Sequence, residues 1–218
     1  MVITMGMRIL YIVLTAVISY LLGSISFAVI VSRALTHKDV RDFGSGNAGL
    51  TNVVRTFGKL PGILTLLGDF SKGVVSVVLG RLIFEHLAGL DPQYGACVAG
   101  LFVIIGHIFP IYFGFKGGKG VLTTAGIALM IDPRVFLIAI TLFILIVLIT
   151  RIVSIASIIA AAAFPITTFI INGIEHRPAL VDTLLTACIA AILIFMHRAN
   201  IKRLLNGTEP RFERKKKD

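Results

Sequence analysis

Seven apolar stretches separated by short polar segments organise the chain, at about 8–34, 60–84, 94–113, 119–131, 133–150, 152–172 and 178–196. Long apolar runs with few charges inside them point to membrane-spanning helices. A spanning helix needs about 20 residues at 1.5 Å rise, and most of the stretches meet that length. The fourth is short, and Asp132-Pro133 forces a turn after it. The first run, Ile9 to Val31, is longer than a signal-peptide core and no clear small-residue cleavage site follows it, so it is read as a retained helix.

The distribution of basic residues orients these helices. With seven crossings and the N-terminus outside, the segments 32–59, 114–120, Arg151 and 197–218 face the cytoplasm and hold most of the 21 Lys and Arg residues. Removing one crossing would put the basic tail outside. The pattern therefore predicts an all-α membrane protein with seven transmembrane helices, N-terminus outside and C-terminus cytoplasmic. It forms a single polytopic domain over 1–218 with a basic tail at 197–218. The Arg214–Lys217 run reads as a topology determinant near anionic lipid heads.

Composition agrees. The chain is 56% hydrophobic and 15% charged, with a mean hydropathy of +0.95, more apolar surface than a soluble domain of this size can hide. A net charge of +10 would suggest nucleic acid in a soluble protein. Here the basic residues sit between and after the apolar runs, so orientation and anionic partners explain them and no nucleic-acid partner is expected. Cys97 and Cys188 lie inside apolar segments without a CxxC spacing and read as small buried residues.

Under this topology the three most polar segments all face the cytoplasm. In the first, Gly44, Gly46 and Gly49 let the backbone turn and aim several N–H groups at one point. Ser45, Asn47, Thr51 and Asn52 add side-chain donors, and Arg55 offers a fork for phosphate or carboxylate. The alternative is a plain connector, which rarely needs so many donors beside an arginine. The second segment closes one helix with Gly106-His107 and Pro110, then opens the next with Gly114, Lys116, Gly117, Gly118, Lys119 and Gly120. Glycines and lysines at a helix N-terminus make an anion cradle; otherwise the lysines merely snorkel at the membrane edge. The spacing is not that of a Walker A loop, because only three residues separate Gly114 from Gly118 and Gly120 follows Lys119. In the third, His197 and Asn200 are three apart and would share a helix face, Arg203 follows, and Gly207 fits a helix stop; taken alone, it reads equally as an interfacial helix end with ordinary polar residues.

Asp69 and Lys72 lie inside the second apolar stretch, where ionisable groups are costly and usually serve a site. They can also pair simply with one another. His37 and Asp42 formally match the His-x4-Asp pattern of a different acyltransferase class, but nothing around them would hold a dyad. No residue cluster suggests a metal site, and no cofactor is expected.

These strings, in this order, resemble the signature of the PlsY-type membrane glycerol-3-phosphate acyltransferases. The resemblance runs from Gly23-Ser24-Ile25 through Gly44-Ser45-Gly46-Asn47, Thr51-Asn52-Val53 and Arg55, then Asp69-Phe70 and Lys72-Gly73. It continues with Gly106-His107, Phe113 to Gly120, His197-Arg198, Asn200-Ile201 and Arg203-Leu204-Leu205. Ser26 stands where the family usually has Pro, and Leu50 where a small residue is usual.

The resemblance implies a seven-helix enzyme of the bacterial inner membrane, its active site facing the cytoplasm. Such an enzyme moves a fatty acyl group from acyl phosphate to the 1-hydroxyl of glycerol 3-phosphate. The products are lysophosphatidic acid and phosphate, in the first committed step of phospholipid synthesis. Carried over, Ser45, Arg55, Lys119, His197 and Asn200 are the catalytic set. The remaining polar and glycine residues of the motifs, with Asp69, Lys72, His107 and Arg203, are expected to bind or support the two phosphate substrates at a membrane-lipid boundary. The rival reading is a transporter for a phosphorylated metabolite. It would need polar residues continuing across the membrane, and the last three apolar stretches show almost none at mid-depth. A lipid-binding scaffold without chemistry is a third reading, disfavoured by Ser45, Lys119 and His197 occurring together.

Overall fold

The computed structural model describes residues 4–212, and the Arg214–Lys217 run lies outside them. The described residues are helical, with no strand among them: α1 (Met5–Gly23), α2 (Phe27–Thr36), α3 (Leu50–Phe57), α4 (Lys59–Leu82), α5 (Pro92–Ile108), α6 (Val121–Ile131), α7 (Pro133–Thr150), α8 (Val153–Ile174), α9 (Leu180–Met196) and α10 (Arg198–Leu205). Every one of the seven apolar stretches contains a helix. Five spans are long and apolar enough to cross a membrane, or six if α9 and α10, bent by 57°, count as one. Helix α6, with 11 residues, is only about 17 Å long.

Local sequence sets several boundaries. Asp91 and Asp132 cap α5 and α7, accepting the Gln93 and Arg134 N–H at 2.8 and 2.9 Å, and each is followed by Pro at the first helical position. Gly207, at φ +69°, turns the chain after α10 as its sequence position predicts.

Four expectations need correction. The first stretch is not one helix, because α1 stops at Gly23 and α2 starts at Phe27. The third stretch ends its α-helix at Ile108, and the residues to Phe113 form a bend and a 3-10 turn. His197 and Asn200 do not share one continuous helix, since His197 caps α9 and Asn200 lies in α10 beyond the bend. Cys97 is half-buried and Cys188 is exposed, as befits a position facing lipid; neither forms a disulfide.

The chain divides into two compact units, Met1–Ile131 and Asp132–Asp218. In the N-terminal unit α5 packs against α1 and α4, and α4 against α6. The α4–α5 crossing brings backbones together at Gly80 and Gly95, where a Cβ on either would strike the other's carbonyl oxygen. Such close approach through small residues is how helices associate in lipid, where burial of apolar surface gives no gain. In the C-terminal unit α8 packs against both α7 and α9. Of α7 only Val135 is fully buried, and one side of the helix, with Leu137, Ile144, Leu145 and Leu148, is left exposed to lipid.

Candidate active site

The first polar segment of the N-terminal unit is built around Asn52. This side chain is 3% exposed and faces into its own loop. Its Nδ2 donates to the carbonyls of Val40, Phe43 and Asn47 at 3.0, 2.9 and 3.1 Å, while Oδ1 accepts the Ser45 N–H at 3.1 Å. Asn52 therefore shapes the loop. Gly44 has φ +59°, and a Cβ there would meet Asn52 Oδ1. The folded loop leaves Ser45 and Gly46 exposed and Asn47, Gly49 and Thr51 half-buried, with Arg55 exposed on α3.

The glycine loop between α5 and α6 lies against this first loop. Gly117 and Gly118 donate their N–H groups to the carbonyls of Ile108 and His107 at 3.1 and 3.2 Å, folding the chain back over the end of α5. Gly118 is confined between the His107 ring and the Ala48 carbonyl of the first loop, so that no side chain fits. Lys116 and Gly114 are exposed, Lys119 is half-buried, and Gly120 at φ +88° turns the backbone into α6. An open cleft of about 540 Å³ lies here, lined by Arg41, Asp42, Gly46, Phe113, Gly114 and Lys116.

Arg41 and Asp39 escaped the sequence reading. Arg41 Nη1 donates to the Phe113 carbonyl at 2.6 Å and the Lys116 carbonyl at 3.3 Å. Its Nε and Nη2 donate to the two Asp39 oxygens at 3.0 and 2.8 Å. Asp39 also accepts Arg33 at 2.7 Å. The Arg41 hydrogen bonds, against the opposing effect of burial, hold the Asp39 carboxyl far below the usual carboxylate range. The only signal in the sequence was a short Asp-x-Arg string, too common to single out.

Below these loops lies a buried cluster of Asp69, Lys72, His107 and Thr123. Lys72 Nζ contacts Asp69 Oδ1 at 2.9 Å and donates to the carbonyls of Gly23 and Ile25 at 2.9 and 2.8 Å. Asp69 in turn accepts the backbone N–H of Phe27. The ion pair thus caps both sides of the break between α1 and α2, supplying partners that helix ends inside a membrane cannot take from water. Asp69 and Lys72 pair with one another, and both charged groups are directed at the break. Thr123 Oγ1 donates to the Asp69 carbonyl at 3.1 Å, and His107 Nδ1 lies 3.4 Å from that hydroxyl. His37 and Asp42 are both exposed and no hydrogen bond or ion pair joins them, so they form no dyad.

The third segment belongs to the C-terminal unit, where a carboxylate organises it. Glu209 Oε1 accepts from Asn200 Nδ2 at 2.6 Å and Ser154 Oγ at 2.7 Å, and Oε2 accepts from Arg203 Nε at 2.6 Å. Burial pushes the Glu209 carboxyl up, but these three donors outweigh it and leave it below the usual range. Phe212 ties the following chain back by donating its N–H to the Arg151 carbonyl at 2.8 Å. His197 is buried, with Nδ1 2.8 Å from the Leu193 carbonyl. A carbonyl can only accept, so Nδ1 carries a proton in that bond. Glu209 was missed in sequence because the ligand set forms only when the chain folds back past Gly207.

A family model described as glycerol-3-phosphate acyltransferase matches residues 13–207. The chain belongs to the glycerol-3-phosphate acyltransferase family. A relative of that name from Clostridioides difficile (strain 630) is 42% identical over 210 residues, covering 96% of this chain and all of its own length. Two solved structures are of PlsY, an integral membrane glycerol 3-phosphate acyltransferase. Its glycerol 3-phosphate form superposes with a TM-score of 0.79 at 34% identity, covering 93% of this chain and 96% of that one. Its lysophosphatidic acid form gives a TM-score of 0.75 at the same identity, over 93% and 95% of the two chains. As a family member the chain is an integral membrane protein, and the all-helical fold with long apolar spans is what that membership entails.

Proposed function

We propose that this protein is a membrane glycerol-3-phosphate acyltransferase that takes its acyl group from acyl phosphate. It crosses the bacterial inner membrane seven times, N-terminus outside, and works on its cytoplasmic side. Helix α6 is the short crossing. The products are lysophosphatidic acid and inorganic phosphate. The observation that carries the reading is the apposition of the first loop and the glycine loop in the N-terminal unit. Gly118 lies against the Ala48 carbonyl, and Arg41, Gly46 and Lys116 line the cleft beside them; Ser45, Arg55 and Lys119 belong to the same unit, and a set of hydroxyl and basic groups of this kind suits phosphate. The likeness to PlsY in a glycerol 3-phosphate form supports the acceptor.

Acyl phosphate is a mixed anhydride and already activated, so no protein nucleophile is needed. The 1-hydroxyl of glycerol 3-phosphate attacks the acyl carbonyl, forming the new ester C–O bond. The bond from the carbonyl carbon to the phosphate oxygen then breaks, and phosphate leaves with that electron pair. Lys119 and Arg55 stabilise the charge that moves onto the phosphate. Ser45, with loop amides other than those of Ser45, Gly46, Gly49, Gly117 and Gly118, which bond within the protein, holds a phosphate group, and Asn200 orients the acceptor. The hydroxyl proton goes to His197 or to a substrate phosphate, whose second pKa of about 6 suits the task. With Nδ1 donating to the Leu193 carbonyl, Nε2 is the ring nitrogen assigned to take it. If His197→Ala lost substrate affinity but kept its turnover number, the substrate phosphate would be the base.

The test is phosphate release by purified protein from palmitoyl phosphate, with and without glycerol 3-phosphate, beside Lys119→Ala. Release that requires glycerol 3-phosphate and collapses in the variant is the expected result. No release, with ester formed neither from acyl phosphate nor from acyl-CoA, would sink the reading.

A further inference from the structure

We propose that Arg41 is a positioning residue that holds the glycine loop in its working shape, with Asp39 as the lock that aims it. The inference rests on the acyltransferase reading above. Arg41 directs one end of its guanidinium to two carbonyls of that loop, Phe113 at 2.6 Å and Lys116 at 3.3 Å. It also lies over the Phe113 ring, 6.0 Å from its centre. The other edge is held by both oxygens of Asp39 at 3.0 and 2.8 Å, so the fork cannot swing. Asp39 is itself fixed, because one of its oxygens accepts the Arg41 N–H at 2.9 Å and caps a 3-10 turn.

The loop it grips needs such a hold. Between Phe113 and Val121 the chain is irregular, and three of its residues, Gly114, Phe115 and Gly120, sit at positive φ, +66°, +59° and +88°. Phe115 is not a glycine, so its conformation is strained and persists only if the surroundings impose it. From the α5 side His107 and Ile108 hold Gly117 and Gly118. Over Phe113 to Lys116 the backbone N–H groups of Phe113 and Phe115 bond to Pro110 at 3.1 and 2.9 Å, and Arg41 supplies side-chain donors to the carbonyls. A guanidinium can bridge two carbonyls while paired with a carboxylate, which an ammonium of one nitrogen cannot do in the same geometry.

Arg41 does not need to touch substrate to matter. Its removal leaves the loop to be ordered at the moment of binding, and that cost appears in KM while the turnover number of the saturated enzyme stays near normal. Arg41→Ala and Arg41→Lys are each expected to raise KM for at least one of the two phosphate substrates by about tenfold or more, with kcat within about threefold. Asp39→Ala, which keeps the arginine but frees it, should do the same to a smaller extent. Because the two residues act as one clamp, the double variant Asp39→Ala/Arg41→Ala should be no worse than Arg41→Ala alone.

A second readout is independent of turnover. Tryptic cleavage after Lys116 in the detergent-solubilised protein, followed by mass spectrometry, should be several-fold faster in Arg41→Ala than in the wild type, with cleavage after Arg151 unchanged. Faster cleavage at both sites would mean general loosening and would overturn the proposal. So would unchanged KM values with unchanged cleavage, a loss in kcat alone, or additive effects in the double variant. Failure of the acyltransferase reading is distinguishable, because then the wild type itself forms no ester while the cleavage difference remains.

Discussion

The two compact units carry their candidate site residues by different physical means. In the N-terminal unit the polar segments are gripped by their backbone: the Asn52 side chain ties three carbonyls of its own loop, the Arg41 side chain ties two of the next, and Gly118 fits between a ring and a carbonyl. In the C-terminal unit three side chains converge on the single carboxylate of Glu209. A site held by backbone contact tolerates almost no added atom. One held by side chains around a carboxylate degrades in steps and responds to pH. The difference teaches where each unit is brittle.

The largest effect is expected at the ion pair beneath the first site. Lys72→Met leaves the Asp69 carboxylate buried without its cation and the Gly23 and Ile25 carbonyls without a donor. A loss of about 3–5 kcal/mol is expected from breaking a buried pair on one side. Thermal unfolding in detergent checks it, and an unchanged melting temperature would mean the pair does not staple the break. Gly118→Ala comes next. Its methyl group would enter the space of the His107 ring and the Ala48 carbonyl, and a fall in kcat/KM of about 100-fold or more is expected, since misplacement of about 1 Å can cost that much. If alanine is accepted with near-normal activity, the brittle character assigned to this unit is wrong.

Glu209→Ala should cost less, about 1–3 kcal/mol of local stability, with a partial loss of activity as Asn200 and Arg203 lose their common partner. The pH sign follows from the lowered carboxyl. Its stabilising contribution is fully present above the ordinary Glu value of about 4.3. It fades as the pH falls from there and is lost on passing through the lower value of the folded state. Unfolding of the wild type should therefore steepen below about pH 4.3, and Glu209→Gln should flatten part of that dependence. A parallel acid limb in the variant would move the effect elsewhere, to Asp39 for example, whose carboxyl is lowered in the same direction. The smallest effect is expected at the other end of α7. There Arg134 bridges Asp132 and Glu175 at 2.8 and 2.6 Å but is half-exposed, and such surface pairs contribute little. Arg134→Ala should leave turnover within about twofold, measured in the same phosphate-release assay.

Much of the candidate site was legible in the chain because its residue types declare their chemistry locally. The glycine and lysine run of 114–120 marks a candidate anion cradle by its composition alone, and Ser45, Arg55 and Asn200 are polar residues beside membrane-spanning runs, conspicuous by contrast. Arg41 and Glu209 were not legible. Each is an ordinary surface residue in sequence, and each gains its role only from partners 72 to 75 or 6 to 55 positions away. Asp69 and Lys72 stand out in sequence because charges in a membrane helix are rare, and the helix break they meet is one that no local pattern marks.

The sequence by itself determined the helical, membrane-spanning class, because apolar length is a local property set against the fixed thickness of a bilayer. It determined the family for the same reason: the motifs are contiguous strings. Only the tertiary structure decided where the spans break, which loop lies on which, and which side chains hold others rather than substrate. Those outcomes depend on backbone groups left without partners at helix ends and turns, and the chain finds partners for them only once it is folded.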